Sequence, residues 1–521
     1  MNLAEVALRR SADPAWAEHA AFRTASGSLS SSAFRRMVAV LAIDLARDGI
    51  KPGDRVLFRM TNSPEFAAAF LACIWIGAIP VLQNSQLGSS ELRHIVSLSN
   101  PALILLGEGM ERDAVMGALD PRLRRAQPTA QGLAFERGGV ARAAGLAELP
   151  PMHDAGRDDP AFVVFTSGTT GKPKGVVHAH RWLEALGDAN RARVPPRTGD
   201  VVLATGEWSF ISALGHNVLF PLRNGTTGSI MAERASPERI LQTIERDRVT
   251  LLHSVATLYR RILAMPGIER RYDLTSLRGA NSTGEPLEES VRHEWQARFG
   301  CPIWEHYGIS EAQMVIGDGP GIDKREGSCG RPWGVRVAIL DERLAPLPAG
   351  EIGTLAFGAD YPGFFLGYLG DPAATNAALR GGYFVTSDLA RMDADGYVYV
   401  VGRADDCFKS KGVLIAPREL EDAILSLGVF AEACVFAIPD REIGNRIGAA
   451  VVPRAGAAEI PGDAAALARA LAGRIAAFKL PHRVVVMDSL PKNANGKTQR
   501  SQVARLVLEG AAAPTSAGGP G

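Results

Sequence analysis

The residues of this chain best suited to hold an anion form one run, Thr166-Ser-Gly-Thr-Thr-Gly-Lys-Pro-Lys-Gly175. Gly168, Gly171 and Gly175 let backbone N–H groups turn toward one centre. Thr166, Ser167, Thr169 and Thr170 add hydroxyl donors, and Lys172 and Lys174 add positive charge. That is the chemistry of a phosphate cradle, with a polar hairpin turn as its bland alternative. A Walker A loop is excluded, because it needs four residues between its first glycine and Gly-Lys, whereas Gly168 and Gly171 are separated by two. Gly496-Lys497-Thr498 fails in the same way, with Pro491 where the first glycine should be.

The run resembles the phosphate loop of the adenylate-forming superfamily, which includes acyl-CoA synthetases, the adenylation domains of peptide synthetases, and luciferases. Four more segments are similar to that family's motifs, in the family's order. Tyr307-Gly308-Ile309-Ser310-Glu311, preceded by His306, resembles a motif whose ring packs on adenine and whose carboxylate helps hold Mg²⁺ on the ATP phosphates. A hard cation wants carboxylate and phosphate oxygen, so Glu311 suits that task, although alone it would equally serve as a helix cap. Asn281-Ser-Thr283-Gly284-Glu285-Pro-Leu287 is similar to the adenine-contacting loop, and Thr386-Ser-Asp388 to a Thr-Gly-Asp whose carboxylate binds the ribose hydroxyls, with Ser387 replacing glycine. Leu490-Pro-Lys-Asn-Ala-Asn-Gly-Lys497 resembles the terminal lysine motif, in which a cation stabilises charge building on phosphorus as a carboxylate attacks.

The resemblance, spanning roughly residues 25 to 505, implies an α/β protein with a large N-terminal AMP-binding domain (1–402) of several subdomains. A hinge follows at 403–407, then a small mobile α+β C-terminal domain (408–509) and a disordered tail (510–521). It implies catalytic roles for Lys497, Glu311 and Thr166, ribose or phosphate contact by Arg403, a hinge at Asp405, and a CoA-facing loop Lys411-Gly412-Val413. Asp405-Asp406 is equally a type I turn between two strands. The implied co-substrates are ATP and coenzyme A, with Mg²⁺ as the metal. In bacterial relatives a lysine in the context of Lys497 resembles a protein-acetyltransferase target, and acetylation would erase its charge.

Within the superfamily, amino-acid-loading domains carry an Asp early in the acyl pocket to pair the substrate ammonium. Here Gly206-Glu207-Trp208-Ser-Phe210-Ile-Ser-Ala-Leu-Gly-His216 has none, and Glu207 would substitute only by pointing inward. After the hinge, Leu414 stands where acetyl- and medium-chain enzymes usually carry Arg. The pattern is closer to benzoate-type aryl-CoA ligases, with Trp208, Phe210 and His216 suiting a flat acyl group. Core packing explains Trp208 and Phe210 as well, and a single hydrogen bond would satisfy His216. The expected activity is ligation of an aryl or cyclic carboxylic acid to CoA through acyl-AMP. A medium-chain ligase and a stand-alone enzyme loading a carrier protein are the alternatives.

These residues need a scaffold of short strands alternating with helices, and the sequence shows one. The apolar run Ala161–Phe165 leads directly into the phosphate loop. Strand-like segments at Val201–Thr205, Gly228–Met231, Val249–His253 and Leu277–Ser282 alternate with helical ones from Pro237, near Thr257–Ala264 and from Pro286, with Ser236 as the N-cap ahead of Pro237. Phe66 to Leu82 is uncharged, yet Gly77 and Pro80 divide it into a helix and a short IPVL strand rather than a membrane span.

Composition narrows the classes further. Lys plus Arg number 57 against 56 Asp plus Glu, a net charge of +1, so nucleic acid is not an expected partner. With 46% hydrophobic and 22% charged residues, the chain is neither disordered nor collagen-like. Five scattered cysteines, never in a Cys-x-x-Cys pair, argue against a disulfide framework or zinc site. A reducing, cytoplasmic setting without stable membrane insertion is expected, since the N-terminus lacks a signal-peptide pattern.

Overall fold

The computed structural model describes residues 1–110, 114–117, 119–135, 139–140, 148–166, 173–454, 456–457, 459–492 and 498–510. The chain separates into two compact units, Met1–Arg336 with Phe357–Phe384, and Val337–Ala356 with the chain from Val385 onward. The second unit thus takes in residues well before 403.

Two nine-stranded sheets build the first unit. One runs Arg331–Pro332, Gln313–Gly317, Ile303–Ile309, Gly279–Thr283, Leu251–Ser254, Val201–Ala204, Thr227–Ser229, Ala20–Thr24, Gly27–Ser30, and is parallel through its middle. Parallel central strands are buried on both faces, which is why Val201–Ala204 and Leu251–Ser254 are inaccessible throughout. The other sheet runs Gly367–Tyr368, Lys174–Ala179, Pro160–Thr166, Ile79–Leu82, Arg55–Arg59, Leu103–Leu106, Arg125–Thr129, Gly132–Phe135, Gly139–Val140.

A chain of buried aromatic rings links the two sheets. Phe58 of one sheet meets Phe66 at 5.2 Å between ring centres, Phe66 meets Trp208 at 5.5 Å, and Trp208 lies 6.3 Å from Phe22 of the other. Trp208 is 0% exposed and its indole N–H donates to Asn217 Oδ1 at 3.0 Å, satisfying the one polar atom it buries. Of its two sequence readings, core packing is the one these contacts describe.

Local signals placed most elements to within a few residues. Ser236 Oγ accepts from Arg239 N at 3.3 Å and caps the helix Pro237–Asp247. The uncharged stretch divides as its Gly and Pro require, into the helix Pro64–Trp75 and the strand Ile79–Leu82. Among the described residues no helix is long and apolar enough to cross a membrane. The helix expected from Pro286 starts later, at Glu289.

In the second unit, Phe430–Asp440 and Gly444–Pro453 form a long antiparallel pair, and Arg483–Val486 adds in parallel. Helices Pro417–Leu425 and Ala464–Ala470 supply Leu420, Ile424 and Leu467 to a core with Phe430, Val435 and Ile447. A tight hairpin joins Phe408–Ser410 to Val413–Ile415. Its two central residues, Lys411 and Gly412, have φ of 50° and 78°, the double positive φ that a two-residue turn matching strand twist demands.

Candidate active site

In the first unit the phosphate-loop run closes an antiparallel hairpin, with Thr166 opposite Lys174. The run therefore connects two paired strands. Ser167, Gly168, Thr169, Thr170, Gly171 and Lys172 lie outside the described residues. Lys174, at the base of the hairpin, holds its Nζ 5.2 Å from the ring centre of Tyr368.

Glu311 is in the turn between the strands Ile303–Ile309 and Gln313–Gly317, with no helix for it to cap. The hairpin is tight at Gly308, where a Cβ would come within 2.3 Å of Gln313 O, so only glycine fits. Tyr307 faces Phe357 in a near-parallel stack at 6.2 Å. Tyr368 Oη donates to Glu311 Oε1 at 2.6 Å, and Phe365 N donates to Glu311 O at 2.8 Å. Burial and the adjacent carboxylate push the Tyr368 phenol up, which keeps it a donor.

Among the described residues no cluster of three or more His, Cys, Asp or Glu side chains is arranged to hold a metal ion. One carboxylate completed by substrate phosphates is a common way of binding Mg²⁺, so Glu311 fits a metal that arrives with a nucleotide.

Thr283 and Ser282 sit opposite His306 and Glu305 in parallel register, which brings the expected adenine loop beside the Tyr307 motif. Gly284 follows with φ of 84°. Glu285 is engaged at the start of the helix Ala256–Leu263, accepting from Thr257 N at 2.9 Å and Thr257 Oγ1 at 2.8 Å. His306 is 3% exposed, contacts Asp318 O at 3.1 Å, and is pushed well below the ordinary imidazole value by burial.

The segment expected to line an acyl pocket is anchored by Asn62, whose amide donates to Gly206 O at 3.0 Å and whose oxygen accepts from Trp208 N at 2.8 Å. Glu207 accepts from Ser85 N, Ser85 Oγ and Gln86 Nε2, each at 3.2 Å. Its carboxylate is thus used by a neighbouring loop. Phe210 is half-buried ahead of the helix Ile211–Leu214, and a π-helical turn, Gly215–Leu219, carries His216. His216 is 2% exposed and packs against His253 with 3.8 Å between ring centres and the planes tilted by 37°; its Nδ1 contacts Ser212 O at 2.8 Å. Burial pushes His216 down to about 3 and His253 well below its ordinary value, which favours the neutral form of both rings.

In the second unit Asp388 and Arg403 are direct partners across the antiparallel pair Tyr383–Met392 and Val398–Arg403. Thr386 Oγ1 accepts from Asp388 N at 3.0 Å within the strand, with Ser387 in place of glycine. Asp405 lies in the turn that follows, closed by Asp406 N and Cys407 N on Arg403 O. Asp406 is 3.7 Å from Arg500, which also pairs with Glu421 and donates to Val435 O at 2.5 Å. Lys411 and Gly412 form the tip of the small hairpin and Val413 beside them is exposed. Lys497 lies outside the described residues.

Sequence motifs missed three participants. Tyr368 at Glu311, and His253 and Gln313 (its Nε2 3.3 Å from His216 Nδ1) at His216, come from separate strands, and no spacing rule connects Tyr368 to a glutamate 57 residues away. None of the cysteines is an evident nucleophile: Cys73, Cys301, Cys329 and Cys434 are buried, and burial pushes Cys434 up to about 12 and the half-buried Cys407 up to about 11.

Comparison with known proteins agrees with this arrangement. Residues 8–369 match the AMP-binding enzyme family, and residues 419–497 match the AMP-binding enzyme C-terminal domain. A 3-hydroxybenzoate–CoA ligase of Aromatoleum sp. (strain CIB) is 31% identical over 470 residues, 89% of this chain and 88% of that protein. A feruloyl-CoA synthase of Amycolatopsis sp. is 32% identical over 497 residues, 93% of this chain and 95% of its own. Among solved structures, an anthranilate CoA ligase in complex with anthranoyl-AMP matches 98% of this chain and 97% of its own, with a TM-score of 0.87 at 25% identity. With the phosphate-loop hairpin, the Glu311 turn and the Asp388–Arg403 pair carried on the fold of these relatives, the chain belongs to the AMP-binding enzyme family, the adenylate-forming enzymes.

Proposed function

We propose that the protein is an AMP-forming ligase that joins an aryl or cyclic carboxylic acid to coenzyme A. A carboxylate is a poor electrophile. Its oxygen attacks the α-phosphorus of ATP, forming the acyl–O–P bond and releasing pyrophosphate. The CoA sulfur then attacks the acyl carbon, AMP leaves with the electron pair of the broken C–O bond, and the thiol proton passes to solvent. In this reading the Thr166–Gly175 loop binds the phosphates, and Glu311 would help hold a Mg²⁺ that offsets part of their charge; Asp388 holds ribose, Arg403 contacts ribose or phosphate, and Lys497 offsets charge developing at phosphorus. Asp405 is the hinge between two domain orientations, and Lys411-Gly412-Val413 faces CoA. Acetylation of Lys497 by a protein acetyltransferase would switch off the first step, and a cytoplasmic location follows from the reading.

The observation that carries the acid class is the engagement of Glu207 by Ser85 and Gln86. Neutral donors direct that carboxylate to a neighbouring loop, which argues against its serving a substrate ammonium, and the resemblance to hydroxybenzoate and feruloyl enzymes supports an aryl acid. Phe210 and the buried, mutually tilted His216–His253 rings give this segment an aromatic character suited to such a group.

The test is release of AMP and pyrophosphate with a panel of carboxylic acids, with and without CoA. Benzoate-sized acids should give the highest kcat/KM, with CoA required for turnover. Preference for octanoate or longer acids would make it a medium-chain ligase. Pyrophosphate exchange driven by amino acids without CoA would make it a carrier-loading enzyme.

A further inference from the structure

Tyr368 lies in none of the motifs above, yet it touches two groups assigned to ATP. Its hydroxyl donates to Glu311 Oε1 at 2.6 Å, and Lys174 Nζ lies 5.2 Å from its ring centre. We propose that Tyr368 is a positioning residue that orients the Glu311 carboxylate toward the metal carried by ATP and ties that orientation to the base of the phosphate loop. The proposal rests on the ATP-dependent reading above and deepens it.

The backbone around Tyr368 is anchored on both sides of the site. Tyr368 and Gly367 pair with Val176 and Val177 of the phosphate-loop hairpin. Leu369 N donates to Gly175 O at 2.7 Å, and Tyr368 N donates to Thr375 Oγ1 at 2.9 Å. Two residues before Gly367, Phe365 N holds the Glu311 carbonyl at 2.8 Å. One short segment, Phe365–Leu369, therefore fixes the Glu311 backbone, the Glu311 carboxylate and the strand that follows the phosphate loop. A glutamate side chain has three rotatable bonds, and the entropy of ordering it opposes any bond it forms. A phenol donating to a carboxylate at 2.6 Å is a short, charge-assisted hydrogen bond, so much of that ordering precedes nucleotide binding. Groups that orient a metal ligand in this way are typically worth about 10–100-fold in metal affinity or activity.

The variant Tyr368→Phe keeps the ring beneath Lys174 and removes only the hydroxyl. Calorimetric titration of the full chain with MgATP, and with ATP in EDTA, reads the effect without turnover. The expected result is an approximately tenfold or greater loss of MgATP affinity, unchanged metal-free ATP affinity and an unchanged melting temperature. Introduced into Glu311→Gln, the same change should add no further loss. Wild-type MgATP affinity in Tyr368→Phe, an equal loss for metal-free ATP, or a full additional loss in the Glu311→Gln background would each overturn the proposal. A wild-type protein that shows the expected binding pattern but releases no pyrophosphate with any acid would overturn the ligase reading and leave the role of Tyr368 standing.

Discussion

Asp388 and Arg403 sit directly opposite one another in an antiparallel pair, one residue ahead of the turn that contains Asp405. The residue assigned to ribose and the one assigned to ribose or phosphate are therefore held in mutual register by strand pairing. If both serve the nucleotide, Asp388→Asn should raise the KM for ATP without changing the acid preference. Hydrogen bonds to a charged acceptor contribute about 1.5–3 kcal/mol, so the expected rise is about 10–100-fold. Steady-state kinetics against ATP and against the acid separate the two, and an unchanged KM for ATP would remove Asp388 from the site.

Lys497 and Asp405 are expected to fail in opposite half-reactions. Lys497→Ala should lose acid-dependent pyrophosphate release by about 10²–10³ while still converting supplied acyl-AMP to thioester. Asp405→Pro, by fixing φ near about −65°, should keep adenylation and lose thioester formation. Assaying each half-reaction separately checks both assignments. Equal losses in the two halves would count against Lys497, and full overall turnover would move the hinge away from Asp405.

Trp208→Ala should destabilise the first unit rather than change acid preference. The ring is 0% exposed between Phe22 and Phe66. Truncating a buried tryptophan costs about 3–5 kcal/mol. A lower melting temperature with kcat/KM ratios retained among acids is the expected outcome; an altered acid ranking at unchanged stability would return Trp208 to the pocket.

Buried imidazoles set an acid limit. Burial lowers His178 and His216 to about 3 and His180 to about 4, from an ordinary 6.5. His180 also answers to Asp159, which raises it, and to His153 and the N-terminal amine, which lower it. The unfolded chain binds more protons than the folded one between those values and 6.5. The stabilisation is therefore complete above about pH 6.5 and is lost as pH falls toward 4, by about 1.4 kcal/mol per pH unit for each such group. Asp44, Asp48 and Asp318, raised by burial, oppose this only as the pH nears the carboxylate range. Melting temperatures measured from pH 8 to 5 should fall below pH 6.5, and a flat profile would contradict the neutral, buried state of these rings.

What the sequence determined by itself is what depends on neighbours along the chain. Ser236 with Pro237 starts a helix because a hydroxyl cap and a fixed φ act within one turn. Pro80 and Gly77 divide an apolar stretch for equally local reasons, and the run Thr166–Gly175 resembles a phosphate loop by its residue types alone. Motif order then identified the family. Tertiary structure decided the partners. Glu311 falls in a hairpin turn because the strand continues through Ile309 and returns at Gln313, a pairing that a pentapeptide does not reveal. Glu207 is bound by a loop more than a hundred residues earlier, Trp208 fills the gap between two sheets, and Tyr368 reaches Glu311 across 57 residues. Each of these rests on a hydrogen bond or ring contact between distant segments, and side-chain periodicity carries no record of which distant group completes it.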